Sequence, residues 1–340
     1  MSARPVLVVG VCVPERRRFV ESFAVSSGAG VVRILDAPRR GAVSWPGQVD
    51  VEVLEGEPVV VDVSSGVDIA HVSAAGTDVP TVVCVVDAPH MIDDFCDDVA
   101  LIDNPGAGDE RGDTGARARQ AATLIEAATL VVLVNWEGLD TSRLAMLMAV
   151  VSHLSPTSRV RLSRGAVEDA RAIAKLGDDG IAIQERAGWM RALNEEHDPY
   201  MTDRRVSTFR YEQLRAFHPG RLARVLDEEL DGGACGLLLR SVGFCRLATR
   251  PGVLARWEHV GSAIWLNPLA PDAGFAALGQ EIAITGLDLK RGEITRALDS
   301  VALTDSELAG GPDVWRRFAD PLPAWPVWPL DVGTSDGSGR

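Results

Sequence analysis

Apolar residues in the first half of the chain cluster in short Val/Leu-rich runs: "VLVVG", "GVVRIL", "PVVVDV", "TVVCVVDA", "TLVVLVN" and "SRVRLS". Between them lie segments with helical spacing, among them "FVESFAVSSG", "ARQAATLIEAA" and "SRLAMLMAVVSHL". A strand that is apolar at every position is buried on both faces, which is the signature of a parallel sheet covered by helices. The pattern therefore predicts a doubly wound, mostly parallel α/β sheet, with any ligand at the carboxyl ends of its strands. From about residue 165 to 205 the chain turns more polar and helical, and "NEEHDPYMTDRR" reads as a linker.

A different pattern follows. "RVSTFRYEQL" reads as a strand, "HPGRLARVLDEEL" as a helix opened by Pro219, and "GLLLRSVGFCRLAT" as a strand with a break or tight turn near Gly243. "RWEHVGSAIWLNPL" and "QEIAITGLDL" add strands, and "KRGEITRALDSVAL" supplies a last helix. The expected organisation is an α/β domain over 1–165, a helical connection over 166–205, a smaller α+β domain over 206–330 and a disordered tail over 331–340.

Composition narrows the function classes. The 340 residues (36.3 kDa) are 46% hydrophobic and 24% charged, as expected of a folded chain. A formal net charge of −14 argues against general attraction to nucleic acid or anionic membranes. No apolar run reaches membrane-spanning length and "MSARPVLVVG" lacks a signal-peptide core, so a cytoplasmic protein is expected. The five cysteines, Cys12, Cys84, Cys96, Cys235 and Cys245, show no C-x-C or C-x-x-C spacing and read as buried free thiols. The six histidines are scattered, with no H-x-x-x-H pair.

The most informative stretch is "VLVVGVCVPERRRFVESF", Val6 to Phe23, a strand, turn and helix laid out like a P-loop. Counting from Gly10 in the pattern G-x-x-x-x-G-K-[ST], Glu15 takes the second glycine, Arg16 the lysine and Arg17 the hydroxyl position. Glu15 would set a carboxylate against a phosphate, Pro14 removes a backbone donor, and Arg17 has no oxygen for magnesium. Arg16, Arg17 and Arg18 are read as the solvated first turn of a helix, with an anion or RNA contact as the alternative.

Other conspicuous residues have structural readings. His218, just before Pro219, suits a capping or packing role, with a ligand or partner contact as the alternative, and His259, beside Glu258 on a strand, reads the same way. Asp93, Asp94, Asp97 and Asp98 read as a solvated helix face rather than a cation site. Trp257, Trp265, Trp315, Trp325 and Trp328 crowd the second unit, mostly as core, with the Pro-flanked Trp325 and Trp328 as interface candidates.

One resemblance organises these features. The stretch "AGWMRALNEEHDPY…VSTFRYEQLRAFHPGRLARVLDEEL…VGFCRLATRPGVLARWEHVGSAIWLNPL…EIAITGLDLKRGEITRALDSVALTDSEL…WRRFADPLPAW" resembles the second domain of the CobW family of GTPases and metallochaperones over roughly 186–325. "VVVDVSSGVD" resembles the family's Walker B region and "VVCVVDAPHMIDD" its next strand. The family's guanine-reading N-K-x-D element would fall at "NWEGLD", which keeps Asn135 but has Trp136 and Gly138, with Asp140 two residues late. Its C-x-C-C metal motif would fall between Ile34 and Val59, where there is no cysteine, and Val63 takes the acidic Walker B position with Asp62 one residue early.

The fold implied is a P-loop-like sheet followed by a CobW C-terminal-type domain. The function implied is a pseudo-GTPase, with no catalytic residue, no metal ligand and no required cofactor. Such a protein would act as an adaptor in zinc starvation, as in an actinobacterial-type branch that helps bring a hibernation factor to ribosomes. Gly10, Glu15, Arg16, Arg17 and Asn135 would then be vestiges. The alternative is a GTP-dependent zinc metallochaperone with an atypical nucleotide site, using GTP, magnesium and zinc.

Overall fold

The Val/Leu-rich runs lie side by side. The computed structural model describes residues 5–34, 49–51, 58–67, 69, 72–74, 80–97, 116–177, 179–230, 233–271 and 279–325. Strands β1 (Val6–Val9), β2 (Gly30–Ile34), β4 (Val59–Val63), β6 (Thr81–Asp87), β7 (Leu130–Val134) and β8 (Arg159–Leu162) form one parallel sheet in the order β2-β4-β1-β6-β7-β8. The short β3 (Val49–Val51) and β5 (Val72–Ala74) pair separately. Successive residues of each strand serve opposite faces. Val8, Val60, Val83 and Val132 meet α1 (Val13–Ser27) and α5 (Ala166–Ile173). Leu7, Val61, Cys84 and Val131 meet α2 (Met91–Cys96), α3 (Arg117–Glu126) and α4 (Thr141–Leu154). The sheet is doubly wound, as the sequence predicts.

After the short α6 (Gly188–Leu193), strands β9 (Val206–Gln213), β10 (Leu237–Cys245), β11 (Val253–Val260), β12 (Ala263–Pro271) and β13 (Gln280–Leu287) form an antiparallel sheet ordered β12-β11-β10-β13-β9. Helix α7 (Pro219–Val225), a π turn at Leu226–Leu230 and α8 (Arg291–Val301) cover one face with Phe217, Trp257 and Ile294. The other face joins the core of the parallel sheet through Val206, Leu239 and Val260.

Two expectations change here. β10 does not break at Gly243: the strand runs through it because a Cβ there would lie 1.9 Å from the Glu281 carbonyl oxygen, so glycine permits close strand pairing rather than a turn. A further helix, α9 (Asp305–Trp315), follows α8, opened by a Thr304–Glu307 capping box and kinked at Gly311 before Pro312. No described helix is long and apolar enough to cross a membrane.

Candidate functional site: the corner between β1 and β4

The carboxyl end of β1 meets the start of α1 at Gly10, whose φ is +153° and where a Cβ would lie 2.4 Å from the Val85 carbonyl oxygen. Only glycine fits there. The chain then enters α1 with Pro14 in its first turn, and Arg16 turns inward rather than out to solvent. Its Nε donates to Asp62 Oδ1 at 2.8 Å, and its Nη1 donates to the Gly10 carbonyl at 2.8 Å and to Ser65 Oγ at 2.6 Å. Ser65 Oγ in turn donates to the same Gly10 carbonyl at 3.0 Å. Arg16, Asp62 and Ser65 are 1%, 4% and 1% exposed. The Arg33 Nε stands 3.6 Å from Asp62 Oδ2. The expectation of a solvated Arg16 is therefore corrected, while Arg17 and Arg18 are exposed as read.

This geometry decides whether a magnesium nucleotide suits the corner. A phosphate cradle needs inward-facing N–H donors and a free cation. Here the inward groups are acceptors (the Gly10 carbonyl, the Ser65 hydroxyl oxygen and the Asp62 carboxylate), and the cation at the lysine position already answers them. Asp62, which the sequence left one residue out of register, faces α1 and meets Arg16 instead of a metal. The residues present do not fit magnesium and a triphosphate.

The guanine-reading position is likewise committed. Asn135, at φ +56°, donates from Nδ2 to Asp87 Oδ1 at 2.7 Å, and the other Asp87 oxygen is held by His90 Nδ1. Trp136 Nε1 donates to the Ser163 carbonyl at 2.8 Å, bridging the ends of β7 and β8. Asp140 caps α4, accepting from the Arg143 backbone N–H at 2.9 Å. An open cleft of about 390 Å³ remains between α1 and these loops, lined by Glu15, Arg18, Phe19, Asn135, Trp136 and Arg164.

Among the described residues no group of three or more His, Cys, Asp or Glu is placed to hold a metal ion. Asp94 pairs with Arg117 at 3.1 Å and accepts from Cys12 Sγ at 3.5 Å; burial first, and Asp94 second, push the Cys12 thiol up to about 12. Asp97 also pairs with Arg117, Asp93 is exposed, and Asp98 lies outside the described residues. All five cysteines are free; Cys84, Cys235 and Cys245 are buried, whereas Cys12 is half-buried and Cys96 exposed.

His218 caps α7, accepting the Arg221 N–H at 3.4 Å, and stacks on Phe318. His259 and Trp257 are buried in the second domain, and Trp315 Nε1 donates to the Glu307 carbonyl at 2.6 Å. Trp325, an interface candidate from sequence, is half-buried: its Nε1 donates to the Leu266 carbonyl at 2.7 Å and Arg250 stacks over its ring. Trp328 lies outside the described residues.

Sequence reasoning missed a buried charge network between the two sheets. Arg240 on β10 donates Nε and Nη2 to Glu126 of α3 at 2.8 and 3.0 Å, and Nη1 to Glu258 of β11 at 3.0 Å. Arg119 of α3 donates to the other Glu258 oxygen at 2.8 Å and lies over the Trp265 ring. Burial raises the Glu258 carboxyl, but Arg240 and Arg119 outweigh it and hold that group well below the usual range. Two cations and two anions balance, so the network is satisfied although almost dry.

Comparison with known proteins gives the parts their kinship. Residues 206–302 match the cobalamin synthesis protein cobW C-terminal domain. The chain is 24% identical over 271 residues to a Dictyostelium discoideum protein named zinc-regulated GTPase metalloprotein activator 1, covering 72% of this chain and 56% of that protein. It is 25% identical over 247 residues to the zinc chaperone Rv0106 of Mycobacterium tuberculosis, covering 64% and 57%. The chain thus spans a little over half the length of the curated relatives it matches. The Zn(II)-bound YjiA GTPase from E. coli aligns over 89% of this chain and 100% of that chain at 13% identity, with a TM-score of 0.33. With the antiparallel sheet, its helices and the family match coinciding over 206–302, the second domain of this chain is a CobW C-terminal domain.

Proposed function

We propose that the chain works in zinc homeostasis as a CobW-type metallochaperone with an atypical nucleotide site. The observation that carries this reading is similarity, reaching well beyond the second domain, to proteins named as a zinc chaperone and a zinc-regulated GTPase activator. Zinc is here the cargo. The comparisons favour this reading over the adaptor inferred first from the degraded motifs, and they do not support an expectation that the protein uses no metal or nucleotide. Equilibrium dialysis of the full chain against micromolar zinc, with and without GTP and magnesium, tests it. Retention of zinc by the protein supports the reading; none retained in either condition contradicts it.

A second reading rests on a different observation, the commitment of Arg16 to Asp62. It favours a protein that meets its partners without a nucleotide cycle; among such proteins, the resemblance read from sequence suggests an adaptor in zinc starvation whose partner is a ribosome hibernation factor. Pull-down from zinc-starved extract tests it: recovery of a ribosome-associated protein, unchanged by added GTP, supports it, and recovery of none contradicts it.

A further inference from the structure

The corner between β1 and β4 presents three kinds of acceptor to one point: the Gly10 carbonyl, the Ser65 hydroxyl and the Asp62 carboxylate. An acceptor-lined, almost fully buried pocket selects a cation, and leaving its carboxylate unpaired would be costly. The side chain that fills it comes from the chain itself. Ser65 spends its own proton on the Gly10 carbonyl, so its oxygen is left to accept from Arg16, and the three groups are satisfied together. A lysine, with one nitrogen, could not reproduce a fork reaching Asp62 from Nε and Gly10 and Ser65 from Nη1.

We propose that this corner is a guanidinium site permanently occupied from within, with Arg16 standing where a bound metal and nucleotide would otherwise join α1 to β4. The inference deepens the atypical-site reading and rests on it. Its physical consequence is that the α/β domain holds a closed corner in the absence of any ligand, because the ion that ties the strand ends together cannot dissociate. Nucleotide loading and release therefore do not set the conformation of this corner.

Chemical rescue tests the inference with the full chain. Arg16→Ala removes the guanidinium and keeps its acceptors, and is expected to lower the melting temperature by roughly 10 °C. Free guanidinium at about 20 mM, compared with sodium chloride at equal ionic strength, is expected to raise the melting temperature of Arg16→Ala and not of the wild type. Adding Asp62→Ala to that variant should abolish the rise. Should Arg16→Ala fail to fold, Arg16→Lys supplies a second test through its stability alone, with a melting temperature expected below that of the wild type.

An equal effect of guanidinium on wild type and variant, or an Arg16→Lys protein as stable as the wild type, overturns the proposal. Zinc dialysis of the wild type is independent of these melts. Loss of zinc retention with intact rescue defeats the zinc reading alone, and failed rescue with intact zinc retention defeats the guanidinium site alone.

Discussion

Arg240 of β10 grips both carboxylate oxygens of Glu126 of α3, at 2.8 and 3.0 Å, from the other side of the boundary between the two sheets. Arg240 is 2% exposed and shares a second carboxylate, Glu258, with Arg119. Truncating Arg240 to methionine would leave two buried carboxylates short of a cation. We expect a loss of about 3–5 kcal/mol, read as a lower urea midpoint. Because the network ties α3 to β10 and β11, the intrinsic fluorescence and circular dichroism transitions of the wild type should coincide. Separate transitions in the wild type would contradict the coupling.

Trp325 tests how the C-terminal segment is held. Its hydrogen bond to the Leu266 carbonyl and the Arg250 guanidinium 4.4 Å above its ring predict a structural cost for Trp325→Ala of about 1–3 kcal/mol. Urea denaturation checks this. A variant as stable as the wild type that loses a protein partner would return the residue to the interface role read from sequence.

Acid should weaken the protein through His153. Burial first, and the neighbouring His197 second, lower its pKa from the usual value to about 4. The unfolded chain therefore binds the proton that the folded one refuses, so stability falls as pH drops from about 6.5 through about 4. His153 Nδ1 also meets Thr208 Oγ1 at 2.9 Å, linking α4 to β9. His153→Asn should flatten the pH dependence of the melting temperature in that window; an unchanged slope would contradict the assignment.

Much of the fold was legible because it is written in local pattern. Apolar runs gave the strands of the parallel sheet, and the alternating, Pro-opened second half gave the α+β unit. The cap at His218 followed from its place before Pro219. Gly243 misled because a glycine inside a strand signals either a break or turn or a close backbone approach, and only the packing, in which a Cβ would lie 1.9 Å from the Glu281 carbonyl oxygen, separates them. The central site was hidden for a longer-range reason. Arg16 sits among three arginines at a helix start; its spacing of three, four and seven residues from the buried Phe19, Val20 and Phe23 puts it on the inward face of α1, but its partner Asp62 lies 46 residues away, one residue before the position at which the motif expects an acid. Arg240 and Glu126, 114 residues apart, carry no local signal.

The corner where β1 enters α1 is closed by the chain's own Arg16–Asp62 pair. Isothermal titration of GTP with magnesium into the wild-type protein measures it most directly. The account predicts no saturable binding tighter than about 1 mM. Saturable micromolar binding that depends on magnesium would show that Arg16 leaves Asp62 to admit a nucleotide, and would contradict the account.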